Sequence, residues 1–185
     1  MAWINIVEKK DAAGDLKEIY DDISKKRGKL SNIMKIQSLN PKAMKNHMDL
    51  YLSIMFDKSG LNRKQRELIG VVVSEINKCE YCINHHVEAL NFYWKDIERI
   101  IKLLNDYKTA NLSKKEEIML DYASKLTIKP HSTRKEDINN LRKAGFNDKD
   151  ILNINLITSY FNFVNRIALG LGIEFSRKEV QGYKY

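Results

Sequence analysis

Cys79-Glu80-Tyr81-Cys82 contains the chain's only two cysteines, and two of its four histidines, His85 and His86, follow within seven residues of Cys79. A helix beginning near Lys78 would place Cys79 and Cys82 one turn apart and His86 one turn further on. Thiol, thiol and imidazole would then share a face. A thiol attacks a peroxide or disulfide only as the thiolate, and an ordinary cysteine pKa of ~8.5 leaves little of it at neutral pH. A helix N-terminus stabilises the anion, and an imidazole one turn away can take the proton. A second thiol at i+3 can close a sulfenic acid into a disulfide before it oxidises further. The helix end favours Cys79 and the imidazole favours Cys82, so the sequence leaves open which sulfur attacks.

Zinc is the competing use of such residues, with Cys79, Cys82, His86 and His85 as ligands. Structural zinc sites more often assemble from two separated ligand pairs, and the sequence offers no second pair. His85 points about 100° away from His86 on a helical wheel and reads as a supporting or surface residue. His47 and His131 stand alone and read as surface histidines. Glu67 lies in the most apolar helix, one turn from Val71. Burial there should raise its pKa and let it exchange protons with His86. Glu75 is a secondary acid, closer in sequence but across a helix break.

The elements that must position these groups are helical almost throughout. Leu16, Ile19, Tyr20 and Ile23 define a first helix that ends at Gly28 and a loop around residues 30–32. Asn40-Pro41 opens a second, with Met44, Met48, Tyr51, Leu52 and Met55 as its packing stripe. Asn62 or a neighbour caps a third, reaching about Asn77, whose centre Leu68–Val73 is apolar all round and so must be buried. Asn77 followed by Glu80 resembles an N-cap and capping box for a fourth helix, ending near Phe92. Further helices are predicted at about 95–106, 114–127, 134–144 and 148–175. The pattern gives an all-α chain of seven or eight helices. A helix-turn-long-helix unit recurs around 41–92 and 113–175, suggesting an internal helix-hairpin duplication.

Composition narrows the class. With 185 residues, two prolines and eight glycines, the chain is unlike a β-sandwich or a low-complexity segment. No apolar run approaches a membrane span, and MAWINIVEKKDAAG has no signal-peptide core, so a cytoplasmic protein is expected. The net charge of +8 comes mostly from lysines interspersed with acids. That pattern solubilises helix surfaces rather than reading phosphates, so no nucleic-acid role is expected. Apolar residues along 151–175 suggest a surface for oligomer formation.

Glu67, Cys79, Cys82 and His86 stand as E-x11-C-x2-C-x3-H, which resembles the motif of the alkylhydroperoxidase D family. Segments 61–69, 77–82, 145–150 and 160–167 are also similar to that family, in particular to its peroxidase-related branch. The resemblance runs from about residue 35 onward. It implies the all-helical fold shared with carboxymuconolactone decarboxylases, in one domain spanning 1–185 with a core at about 35–175, assembled as a homo-oligomer. It also implies a thiol-dependent peroxidase without haem, flavin or metal. Cys82 would be the peroxidatic cysteine, Cys79 its proton donor and disulfide partner, and Glu67 with His86 the proton relay. The substrate would be a hydroperoxide and the reductant a dithiol protein. Tyr81 departs from the family, whose best-known members have histidine between the cysteines. The competing classes are a lactone decarboxylase-like enzyme and a redox-sensing or zinc-stabilised helical binding module.

Overall fold

A computed structural model of the chain describes residues 2–180, 182 and 183. Among these there are nine α-helices and no strand: α1 (Gly14–Arg27), α2 (Asn32–Lys35), α3 (Pro41–Phe56), α4 (Arg63–Ile76), α5 (Glu80–Trp94), α6 (Ile97–Asn105), α7 (Lys114–Ile128), α8 (Lys135–Lys143) and α9 (Asp148–Gly170). The all-α expectation is met. The expected 1–185 unit includes residues 1, 181, 184 and 185, which lie outside the described residues.

Helix α4 is the axis of the fold and packs against α5, α7 and α9. Its β-branched Val71-Val72-Val73 run disfavours helix in isolation. Two features decide the outcome. Asn62 accepts from Gln65 N while the Gln65 side chain accepts from Asn62 N, a closed capping box. Leu68, Ile69, Val71 and Val73 are then fully buried, so tertiary packing supplies what propensity lacks. Arg66 fastens the preceding turn by donating to the carbonyls of Ile54, Asp57 and Leu61.

Helix α9 lies against α4 and is joined to it by amides. Asn77 Nδ2 donates to Asn162 Oδ1 and Asn165 Oδ1, each at 3.0 Å, and Asn165 Nδ2 donates to Ser74 Oγ at 3.2 Å. These bonds correct the reading of Asn77 as an N-cap. Its backbone is helical (φ −78°, ψ −4°) and it closes α4, whereas an N-cap needs extended backbone. Glu80 is therefore the first residue of α5, and the residue before it is Cys79.

Two other boundaries differ from expectation. Helix α9 ends at Gly170 rather than near 175, because Gly172 turns at φ +68° and the Trp3 ring fills the space a Cβ would need. The loop expected around residues 30–32 gives way at Asn32 to the short α2, whose first N–H donates to the distant Glu179 carboxylate at 2.6 Å. Leu68→Ala is expected to destabilise the fold by roughly 2–5 kcal/mol, through lost burial and a residual cavity. Urea unfolding would measure it.

Candidate active site

The turn from α4 to α5 sets up the site. Lys78 sits at φ +55°, a left-handed conformation in a residue other than glycine, and reverses the chain. Cys79 follows as the residue capping α5, its N–H bonded to Ser74 O at 3.0 Å. Cys82 is the third residue of the helix, so both sulfurs belong to its first turn, where unpaired N–H groups and the positive dipole end favour a thiolate. The two are joined as a disulfide, with Cα atoms 5.3 Å apart, and both are buried.

One turn beyond Cys82, His86 points back onto α4. Its Nδ1 lies 2.8 Å from Glu67 Oε2, and the Phe161 ring of α9 meets it edge-on at 4.2 Å. Gly70 makes this approach possible: a Cβ at that position would lie 2.7 Å from His86 Nδ1. The isolated glycine inside the apolar helix is thus a place where the imidazole docks.

Glu67 is 1% exposed, so it is not a solvated residue. The expected raised pKa is corrected. Burial does push the carboxyl up, but Arg63, whose Nη2 lies 2.6 Å from Oε1, and the bonded His86 outweigh it and hold Glu67 below its ordinary value. Since an ionised carboxylate only accepts, Nδ1–H of His86 must be the donor. Arg63 is itself fixed by a 2.9 Å bond to Met55 O and by stacking 3.9 Å over the Phe56 ring.

Cys82, His86 and Glu67 line one cavity of about 100 Å³, together with Tyr81, Arg63 and Tyr160; Cys79 is not among its lining residues. The structure thus brings Glu67, Cys82 and His86 to one chamber and ties Cys79 behind it. Glu75 stands apart, paired with Lys78 at the surface. His131 is exposed.

His47 is a correction. It is buried, lines the same cavity, and places Nε2 2.6 Å from the Tyr160 hydroxyl and Nδ1 within bonding distance of the Gln37 amide. Burial lowers its pKa to about 4. The sequence signal was available: His47 falls between Met44, Met48 and Tyr51 on the packing stripe. His85 is also a lining residue, with Nδ1–H donating to Tyr81 O at 2.8 Å and its pKa lowered to about 4 by burial. Among the described residues no three His, Cys, Asp or Glu converge as a metal cage, and the two sulfurs are bonded to each other.

Comparison with known proteins agrees with the architecture. Residues 41–106, which hold α3, α4 and α5 with all four motif residues, match the carboxymuconolactone decarboxylase family. Over 99% of its length the chain is similar to an uncharacterised peroxidase-related protein of Silicibacter sp. TM1040, at 29% identity, 96% coverage of that chain and a TM-score of 0.87. Over 97% it is similar to an uncharacterised peroxidase-related protein of Ralstonia eutropha JMP134 described as an alkylhydroperoxidase D core, at 25% identity, 94% coverage and a TM-score of 0.86. The debrominase Bmp8, in complex with 2,3,4-tribromopyrrole, shares the fold at 16% identity, with 97% of this chain and 96% of that one aligned and a TM-score of 0.79. The matched segment and the peroxidase-related neighbours together support the resemblance to the alkylhydroperoxidase D-like, carboxymuconolactone decarboxylase family.

Gly70→Ala should push the His86 ring off Glu67 and cost about 1–3 kcal/mol, the range for overpacking a filled core; urea unfolding and the imidazole NMR shifts would register it. Acid should also unfold the protein through His47. The unfolded chain takes a proton near pH 6.5 that the folded chain refuses until about pH 4, so stability falls as pH drops through that window. The slope per such histidine approaches about 1.4 kcal/mol per pH unit. His47→Gln should flatten the urea-midpoint profile between these limits.

Proposed function

We propose that the chain is a thiol-dependent peroxidase in which Cys82 attacks the hydroperoxide and Cys79 resolves it. One observation carries this reading: Cys82, but not its disulfide partner, lines the chamber shared with His86 and Glu67. In the reduced enzyme, His86 Nε2 takes the Cys82 proton, while Nδ1–H stays on Glu67 and steadies the imidazolium that forms. The thiolate then attacks a peroxide oxygen. An S–O bond forms, the O–O bond breaks, and the alcohol leaves with the proton from His86. Cys82 is now a sulfenic acid.

Cys79, one helical turn away, attacks the oxidised sulfur. The S–S bond forms, the S–O bond breaks and water leaves. An external dithiol protein restores both thiols and departs as its own disulfide. The cycle therefore converts one hydroperoxide and one dithiol into alcohol, water and disulfide. Arg63 keeps Glu67 anionic, so this carboxylate orients the histidine and supports its positive charge instead of delivering a proton itself.

The outward-facing Leu152, Leu156 and Phe163 of α9 suit the expected homo-oligomer. The family name and the debrominase supply rival chemistries, lactone decarboxylation and removal of halogen from an aromatic ring. Cys82→Ser is expected to abolish cumene hydroperoxide turnover with dithiothreitol, whereas Cys79→Ser should leave a sulfenic acid that dimedone traps for mass spectrometry. Full peroxide turnover by Cys82→Ser would sink the proposal. Lactone decarboxylation surviving loss of both cysteines, or faster bromide release from a bromopyrrole than peroxide reduction, would favour the rivals.

A further inference from the structure

The chamber around Cys82 has a wall contributed by the far end of the chain. Tyr183 lines it, and its ring lies 5.7 Å from His85. Four residues earlier, Glu179 is buried at 6% exposure, and nearly everything around its carboxylate belongs to the chamber or its rim. Oε1 accepts from the Tyr81 hydroxyl at 3.0 Å and from the Asn32 N–H at 2.6 Å. Lys29 approaches Oε2 at 3.7 Å and also donates to the Glu179 carbonyl at 2.8 Å. His85 Nε2 stands 3.9 Å away.

Tyr81 is the centre of this junction. It is the residue immediately before Cys82, its ring packs 4.2 Å from His85, and its hydroxyl accepts from Ile33 N–H at 3.2 Å while donating to Glu179. One side chain thus ties the helix that carries the cysteines to both the N-terminal segment and the C-terminal segment. A buried carboxylate with this many donors is expensive to remove and firmly placed while they remain.

We propose that the C-terminal segment, latched by Glu179 to Tyr81 and Asn32, is a specificity wall that limits the bulk of the peroxide or thiol able to reach Cys82. The inference rests on Cys82 being the reactive sulfur of the proposed function, but its geometry holds whatever that sulfur reacts with. A chamber of about 100 Å³ accommodates a compact molecule; an engineered cavity of about 150 Å³ is known to hold benzene. Larger partners would need the wall displaced. Glu179 and Tyr81 act through the wall, so they are positioning residues.

Thiol labelling of the reduced, full-length protein tests this without relying on peroxide chemistry. Modification of Cys82 by iodoacetamide and by pyrenyl maleimide would be timed by peptide mass spectrometry in wild type, Glu179→Ala and Tyr81→Phe. Losing a charged hydrogen bond from the latch should raise the pyrenyl-to-iodoacetamide rate ratio by about tenfold in Glu179→Ala, with a smaller rise in Tyr81→Phe. A ratio unchanged in both variants, or both reagents accelerated equally, would overturn the wall. If Glu179→Ala does not fold by circular dichroism, Tyr81→Phe decides, since it keeps the ring and removes only the hydroxyl. Peroxide consumption is assayed alongside. A raised ratio in proteins that never turn over peroxide keeps the wall and rejects the peroxidase.

Discussion

A carboxylate buried in the central helix of the fold, α4, is the constraint around which the rest is arranged. Glu67 would be untenable as an isolated charge, and neutralising it would remove its use. Arg63, one turn earlier, answers the charge and anchors itself on the end of α3 through Met55 O and the Phe56 ring. His86 answers it from α5, which must come close enough for a ring to replace the Cβ missing at Gly70. Phe161 of α9 closes the other side of that ring. Four helices are thus held in register by the requirements of one side chain, and the sulfurs ride on the helix that His86 fixes.

Charge compensation also sets Glu67 and His86 apart. Two groups that share a proton usefully need different environments. Glu67 has a permanent cation beside it and stays anionic; His86 has the anion beside it and faces the chamber. The other two histidines of the cavity, His47 and His85, lie where burial keeps them neutral near physiological pH. They supply shape and hydrogen bonds to Tyr160 and Tyr81 without adding positive charge to the chamber.

What could be read in the sequence followed the range of each interaction. The C-x2-C-x3-H spacing converts directly into helical turns, so the stacking of His86 one turn beyond Cys82 was legible, as was the buried centre of α4; that Glu67 joins them from another helix was carried by the family resemblance. The direction of the Glu67 pKa was not, although Arg63 stood visibly at i−4. Which effect prevails depends on how deeply both are buried, a property of the packed molecule. His47 looked solitary because its partners lie 10 and 113 residues away. Glu179 carried no signal at all: the hydroxyl it binds is 98 residues distant, and the composition around it resembles any polar tail. The end of α4 near Asn77 was legible but the start of α5 was not, because Asn77 closes α4 and its side chain bonds Asn162 and Asn165 instead of capping the next helix.

The place of the disulfide within the first turn of α5 has a consequence for its opening and closing. A separation of 5.3 Å between the Cα atoms is what two residues three apart in a helix already have, so the backbone is shaped for the bond before it forms. A bond that asks so little of the backbone can close and open within a single helical turn, so the rearrangement it needs can be confined to two side chains.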